Sequence, residues 1–432
     1  MEKINAMKKA TIFGLGYVGL PLLCVLAEKG IPVIGYDVDQ KKIANIAQGI
    51  SPIKDEKLEA QLATLKGKYD VTTDERKAVA ESDILVICVP TPIDASLQPD
   101  LRFVNAVAET IAKYLKKGQL IILESTVAPG TCEAVFPQLL EGKTGLKHRV
   151  DFHLAHCPER IDPGNKQYDL VSIPRVVGAT DPEGLRLAVE FYRSFLKAAV
   201  HPLSSIKAAE AVKIIENTFR DINIAFVNEL AQSFDKLGVD IVEVIRGAAT
   251  KPFAFMPHWP GCGVGGHCIA VDPYYLIEKA REVGFQHRFL SLAREINRGM
   301  PAYTIQRLKE GVEQARLRLD KASICVLGLA YKPNVDDMRE SPAFEILHLL
   351  KEQGIHADTF DPYIKEQSTM KDLQSALKHD IIIIATGHDV FTALAATQLK
   401  SSDVKVVIDG RNCLDKDAIK KAGIIYKGIG RE

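Results

Sequence analysis

Several things are scarce or missing in this 432-residue chain. It has no net charge: Lys plus Arg and Asp plus Glu number 55 each. No global field is therefore present to hold nucleic acid or an anionic membrane, and polyanion-binding classes drop out. Long apolar runs are also absent. Purely aliphatic stretches such as residues 381–384 are only a few residues long, far short of the ~20 residues that a bilayer-spanning helix needs. The first nine residues contain no apolar segment of the kind that opens a secretory signal, so a chain that stays in the cytoplasm is expected. Eight cysteines are present, at 24, 88, 132, 157, 262, 268, 325 and 413. They follow no disulfide-framework spacing and several sit inside apolar runs, as reduced cytosolic thiols do. His258, Cys262, His267 and Cys268 are of the right types for zinc. Adjacent His and Cys rarely bind one ion together, however, and the spacing matches no closed tetrahedral site, so no metal is expected.

The length predicts two or three domains. Residues 10–13 read as a buried strand, 14–19 as a glycine turn, 18–29 as a helix ended by Gly30, and 33–36 as a second strand. Apolar runs at 84–89, 119–123, 152–155 and 175–177 alternate with helical stretches, the pattern of a doubly wound parallel sheet. From 204 to 237 helical apolar spacing runs without Gly or Pro, which predicts one long helix. A second helical segment, a Gly/Pro-rich loop at 251–273 and more helix to about 298 follow. Strand–helix alternation then restarts at 323–329, with strands near 357–360, 380–385 and 404–408. The expected fold is α/β: two Rossmann-like, doubly wound parallel-sheet domains joined by a long central helix and its helical domain. The expected boundaries are 1–205, 206–300 and 301–432.

Gly14, Gly16 and Gly19 stand in register with strand, turn and helix, so the backbone can approach a pyrophosphate at a helix N-terminus. Tyr17 and Val18 lie within the same turn. Asp37 ends the second strand, where a carboxylate binds ribose hydroxyls and repels a 2′-phosphate. Together these predict NAD rather than NADP, although Lys41 and Lys42 stand close to the acid. Lys213 and Asn217 are four apart on the long helix and share a face. A cation and an amide there could stabilise one oxyanion, or form part of a solvated polar face. Glu210 and Arg220 extend that face and fit either reading. Glu159 follows a strand, at the end of the first sheet where ligands bind, and could serve as a base or merely as a loop acid. Thr126 follows another strand and could bridge cofactor and substrate or cap a helix. Gly265-Gly266-His267-Cys268, with Asp272 four residues on, offers a thiol with backbone room beside it and a carboxylate nearby. The plain alternative is a small buried cysteine. The segment Gly328-Leu-Ala-Tyr-Lys332-Pro lacks the later glycines of a fingerprint, so no second dinucleotide is expected there.

These pieces in this order resemble the nucleotide-sugar dehydrogenase family that oxidises the C6 hydroxyl of a UDP-sugar to a carboxylate. The resemblance covers nearly the whole chain. It rests on Gly14-Leu-Gly-Tyr-Val-Gly-Leu-Pro21, Val89-Pro-Thr-Pro92, Glu124-Ser-Thr126, Cys157-Pro-Glu159, the Lys213/Asn217 pair, the Cys268 loop, Lys332 through Arg339-Glu-Ser341, and Asp409-Gly-Arg411. It implies a four-electron oxidation with two NAD per sugar, through a thiohemiacetal and a thioester on Cys268. Glu159 is implied as general base for hydrolysis, Lys213 and Asn217 as oxyanion donors, Asp272 as the group orienting Lys213 or a water, and Thr126 as the group placing a water near C6. Pro90, Thr91, Thr126 and Arg339 are implied at the cofactor. Glu159, Arg160, Lys213, Asn217, Lys251, Gly265 and Gly266 are implied at the sugar nucleotide, with Lys332 and Arg411 at its phosphates. A homodimer is implied as well, as is a place in surface-polysaccharide synthesis.

UDP-glucose enzymes of the family usually carry Lys before the loop Asp, whereas this chain has Val271-Asp272 and places His267 before the cysteine. That is similar to the branch acting on UDP-N-acetylhexosamines. Residues 250–257 and 159–165 are most similar to UDP-N-acetylglucosamine 6-dehydrogenases, with UDP-N-acetylmannosamine and UDP-glucose enzymes as alternatives. Cys262 stands where relatives often have Pro, which would soften the loop and add a redox-sensitive thiol. A two-electron hydroxyacid-type dehydrogenase shares the fingerprint, the long helix and a helical lysine, but would need no cysteine.

Overall fold

In a computed structural model, residues 8–53, 55–94, 96–161, 168–266 and 268–432 are described. The chain divides into two compact units: Met1–Glu216 with Tyr274–Gly284, and Asn217–Pro273 with Phe285–Glu432. No helix among the described residues is long and apolar enough to cross a membrane.

The first unit is built on strands β1 (Ala10–Phe13), β2 (Val33–Tyr36), β3 (Asp70–Thr72), β4 (Ile84–Ile87), β5 (Gln119–Leu123), β6 (Phe152–His156), β7 (Arg175–Ala179) and β8 (Val200–Pro202). They form one sheet in the order β3-β2-β1-β4-β5-β6-β7-β8. Its central strands are short apolar runs because both faces are covered, as in parallel sheets wound by crossover helices. Side-chain alternation sorts them into two cores. Ile12, Val86, Leu120 and Ile122 pack on one face with the helix Gly19–Glu28, while Phe13, Leu85, Ile87, Ile121 and Leu123 pack on the other with Arg102–Tyr114 and Thr131–Thr144. One pair departs from the expected all-parallel sheet: β6 and β7 run antiparallel. A parallel neighbour needs a crossover, usually helical, and the described residues between β6 and β7 contain no helix.

The second unit carries strands β9 (Ile324–Leu327), β10 (Asp358–Phe360), β11 (Ile381–Ile384), β12 (Val406–Asp409) and β13 (Ile425–Gly428), all parallel, in the order β10-β9-β11-β12-β13. Alternation again splits them: Ile324, Val326, Ile381 and Ile383 face one core, Cys325, Leu327, Ile382 and Ile384 the other.

The long helix spans Ile206–Leu237, 32 residues and about 48 Å at the usual rise. Within the first unit, Ile206 joins the core beneath β5. Within the second, Val227 and Ala231 pack with Ile241, Ile245, Met300 and Ile429. The helix Arg288–Gln314 runs well beyond residue 298, the expected end, with Pro301 inside it. Packing overrides the proline: Ile305, Leu308 and Val312 are buried in a core of the second sheet.

Candidate functional site

The glycine turn after β1 assigns a different task to each glycine. Gly14 has φ +93, and a Cβ there would come within 2.8 Å of the Cys88 carbonyl oxygen. A Cβ on Gly19 would run into the Gly14 carbonyl, so glycine lets the helix Gly19–Glu28 start tight against the strand. A Cβ on Gly16 would meet nothing within 4 Å. The chain leaves that space open, as a fingerprint must where a pyrophosphate approaches the backbone. Asp37, nearly buried at the end of β2, accepts Leu15 N–H at 3.0 Å and Asp39 N–H at 3.1 Å, and pairs with Lys42 Nζ at 2.7 Å. It is thus fixed beside the turn, where it can receive ribose hydroxyls. Tyr17 is exposed and Val18 half-buried at the helix start. Pro90 and Thr91 follow β4; the Thr91 carbonyl accepts the Tyr275 hydroxyl at 2.8 Å. Thr126 follows β5, half-buried, beside Ser125, whose hydroxyl donates to Val89 O at 2.7 Å. All these residues lie at carboxyl ends of parallel strands, the ligand-binding edge of such a sheet. The residues present therefore fit a dinucleotide.

At the same edge, Glu159 is buried and held from several sides. Oε1 accepts the N–H of Arg160 and of Ile161, and Oε2 pairs with Arg175 Nη2 at 2.9 Å. Burial pushes its carboxyl up, but Arg175, the Ile161 N–H and Lys213 outweigh it, so Glu159 is held below the ordinary range and is ionised at neutral pH. The same hold makes it a weaker base than an unpaired carboxylate. Lys213, half-buried, is brought near enough to Glu159 to act on it. Arg160 donates to Pro174 O at 2.9 Å and pairs with Glu216. Glu210 proves structural: its carboxylate accepts Gly130 N–H and Cys132 N–H at 2.8 Å, capping the helix Thr131–Thr144. Arg175 and Tyr192 belong to this edge but were not singled out from sequence. An arginine opening an otherwise apolar strand was the available signal for the first.

The second unit holds the thiol. Cys268 is exposed, whereas Cys24, Cys88, Cys132, Cys157, Cys262 and Cys325 are buried and Cys413 is half-buried. The Cys268 carbonyl accepts Asp272 N–H at 2.8 Å, and the Asp272 carboxylate accepts the Asn217 amide, which fixes that amide's direction. His267 and residues 162–165, on which part of the substrate reading rests, lie outside the described residues.

Two expectations for this unit need correction. The space beside Gly265 and Gly266 is occupied by the chain itself: a Cβ on Gly265 would fall 2.6 Å from Glu340 O, and one on Gly266 2.6 Å from Tyr331 Cε2. Glycine is needed there for internal packing, and only the backbone can face a ligand. Cys262 is not a redox-sensitive thiol. It is fully buried, its Sγ donates to Ala385 O, and burial raises its pKa. Lys251 lies over the Phe253 ring at 4.8 Å in an exposed turn. Lys332 is half-buried, and Arg339 forks onto Asp337 at 2.6 and 2.9 Å. Arg411 donates to Ala385 O at 2.7 Å and to Gly263 O at 3.3 Å. It lines a cavity of about 240 Å³ with Val242, Arg246, Trp259, Pro260 and Asn412. Arg246 and Trp259, which line it, were not singled out from sequence.

The open glycine turn, the fixed Asp37 and the single exposed thiol among the described residues define an NAD-dependent dehydrogenase. The chain belongs to the UDP-glucose/GDP-mannose dehydrogenase family, matching its NAD binding domain over residues 8–196, its central domain over 207–299 and its UDP binding domain over 325–416. It is an NAD-dependent UDP-sugar dehydrogenase. A UDP-N-acetyl-D-mannosamine dehydrogenase of Pyrococcus horikoshii is 38% identical over 98% of this chain and 99% of its own length. A UDP-N-acetyl-D-glucosamine 6-dehydrogenase of Pseudomonas aeruginosa is 38% identical over 95% of this chain and 98% of its own. The solved structure of a UDP-D-ManNAc dehydrogenase from P. horikoshii superposes with a TM-score of 0.91 at 37% identity, covering 98% of this chain and 99% of that one.

Proposed function

We propose that this dehydrogenase oxidises C6 of UDP-N-acetyl-D-glucosamine to the uronate through a thioester on Cys268, as a cytoplasmic homodimer that supplies surface-polysaccharide synthesis. The observation that carries the covalent route is the exposure of Cys268 among cysteines that are otherwise buried or half-buried. NAD, when bound, accepts a hydride at each of the two oxidations. Between them the Cys268 thiolate adds to the C6 aldehyde, so the reactive carbon stays attached to the chain. Water then attacks the thioester and the Cys268 sulfur leaves as thiolate. Lys213 and Asn217 supply donors to the developing oxyanion; Asn217 spends one amide hydrogen on Asp272 and keeps the other. Glu159, ionised and fixed in direction, takes the proton of the attacking water, and Thr126 positions a water near C6. Asp37 and the open face at Gly16 hold the dinucleotide. Lys332 and Arg411 meet the UDP phosphates, Arg339 the cofactor.

The N-acetylhexosamine is supported by the names of both relatives described above, and the glucosamine epimer by the similarity of residues 250–257. UDP-N-acetylmannosamine is the second reading, favoured by the Pyrococcus relative at equal identity. The test incubates excess NAD with limiting UDP-N-acetylglucosamine, UDP-N-acetylmannosamine or UDP-glucose and counts NADH per sugar, beside Cys268→Ala. Two NADH per N-acetylglucosamine nucleotide, lost in the mutant, is the expected outcome. One NADH per sugar, or full turnover without the thiol, would leave a two-electron alcohol dehydrogenase with no covalent intermediate.

A further inference from the structure

The ends of β5, β6 and β7 enclose more charge chemistry than the reaction above uses. Glu124, at the end of β5, is fully buried. Its Oε1 accepts the Tyr192 hydroxyl at 2.5 Å, while Oε2 is buried with no hydrogen-bond partner among the described residues. A buried oxygen left unpaired carries a desolvation cost that native structures rarely leave uncompensated. Glu159 is the direct neighbour of Glu124: its N–H donates to the Glu124 carbonyl at 3.3 Å, and its carboxyl raises the proton affinity of the Glu124 carboxyl. Both feel Arg175, but its ion pair is made with Glu159. Arg175 is paired with Glu159, and Lys213 acts on Glu159 as well, so an ionised Glu124 would be a fully buried charge with no ion pair of its own among the described residues. One proton removes that charge and turns the unpaired oxygen into a donor.

We infer that Glu124 is a positioning residue that stays protonated and donates from Oε2 to the Glu159 carboxylate, so that the negative charge rests on Glu159, against Arg175 and Lys213. The groups facing it agree. Burial, with help from Glu159 and against the pull of Arg175, pushes the Glu124 carboxyl up to about 8. Cys88 after β4, Cys157 after β6 and Tyr192 on the helix Pro182–Arg193 all have their pKa raised by burial. None of them takes the charge in its place. Glu159 thereby has a fourth donor beside Arg160 N, Ile161 N and Arg175. When Glu124 ionises, that donor is lost and Arg175 faces two anions.

The effect on turnover rests on the reading of Glu159 as the hydrolytic base; the proton itself does not. The first measurement is therefore carboxyl ¹³C NMR of glutamate-labelled protein without substrate, titrated with pH. A resonance missing from Glu124→Gln should stay protonated through neutrality and titrate near pH 8, and in Glu159→Gln it should titrate at lower pH because the neighbouring charge is gone. Titration in the ordinary carboxylate range, or no change in Glu159→Gln, would overturn the inference. The second measurement is kcat against pH. The wild type should lose activity as pH rises past the Glu124 titration. Glu124→Gln, whose amide still donates, should lack that falling limb. Glu124→Leu should lose kcat by ~10-fold or more at neutral pH, the usual worth of a hydrogen bond to a charged group, with the KM for NAD unchanged. An identical falling limb in Glu124→Gln, or equal activity in Gln and Leu variants, would count against it. Full NADH yield in Glu159→Gln would remove Glu159 from the reaction but leave the NMR result standing.

Discussion

At the scale of single residues, the glycine turn separates folding from binding. Gly14 and Gly19 are glycine because the chain itself fills the space around them, while Gly16 is glycine although nothing of the chain is near. Gly16 has no positive φ that alanine would resist. Gly16→Ala should therefore leave unfolding within ~0.5 kcal/mol of wild type, as an uncrowded substitution does, yet weaken NAD binding in calorimetry. Gly19→Ala, forced against the Gly14 carbonyl, should destabilise by ~1–3 kcal/mol as overpacking does, seen as a lower melting temperature without NAD. If both variants melt alike and bind alike, the division of labour is wrong. The thiol belongs to the same scale. Its neighbours in sequence marked Cys268 as a candidate, but its exposure against the burial of Cys262 six residues earlier became visible only in the folded chain.

At the scale of elements, one helix caps another. The helix Thr131–Thr144 begins at Gly130, which has no side chain to satisfy the first N–H groups, and Glu210 of the long helix supplies both oxygens. Glu210→Ala should cost ~1–3 kcal/mol because a buried and a part-buried N–H group lose their acceptor, measurable by urea denaturation. Burial pushes the Glu210 carboxyl above its ordinary 4.5, despite the two N–H groups pulling the other way. The folded state then holds this proton more tightly than the unfolded one, so stability is fullest below 4.5 and declines as pH rises. Glu210→Gln cannot titrate and should show less of that decline. Such a cap was not legible in the sequence, where Glu210 read only as part of a polar helical face, because its partners are 78 and 80 residues away. The central strands were legible for the opposite reason: β1, β2, β4, β5 and β11 are apolar runs whose burial is written in their own residues. Edge strands were not. β3 reads Asp-Val-Thr and β8 reads Val-His-Pro, three residues each, and edge pairing rather than composition makes them strands. Likewise no local signal carries the helix Arg288–Gln314 through Pro301; its packing on the second sheet does.

At the scale of the whole molecule, the two sheets repeat one device and put it to different use. Gly14 N–H bonds Tyr36 O at 2.9 Å and Leu15 N–H bonds Asp37; in the second sheet Gly328 N–H bonds Phe360 O at 2.9 Å and Leu329 N–H bonds Asp361. Gly14 and Gly328 share φ values of 93 and 91. The next positions diverge. Where the first turn has Gly16, the second has Ala330, fully buried, its carbonyl taken by the Thr386 and Ser341 hydroxyls. Where Asp37 pairs with the half-buried Lys42 at the first turn, Asp361 is fully buried against His388 at 3.0 Å. On the proposed reading Asp37 serves the dinucleotide while its counterpart is a buried clamp, so calorimetry should find one NAD site per chain. Asp37→Ala should abolish it, and Asp361→Asn should leave it. Burial raises the Asp361 carboxyl, but His388 and the Ala330 and Tyr363 N–H groups more than reverse this and bring it down to about 2 from 3.8. Its stabilisation is thus complete above the unfolded value and lost as pH falls from 3.8 towards 2. Acid unfolding of Asp361→Asn should lack that portion of the wild-type slope, while its NAD affinity at neutral pH stays within ~2-fold of wild type, inside the ±0.5 kcal/mol expected of a change remote from the ligand. A second NAD per chain, or loss of NAD binding in Asp361→Asn, would mean that the second turn still binds a dinucleotide.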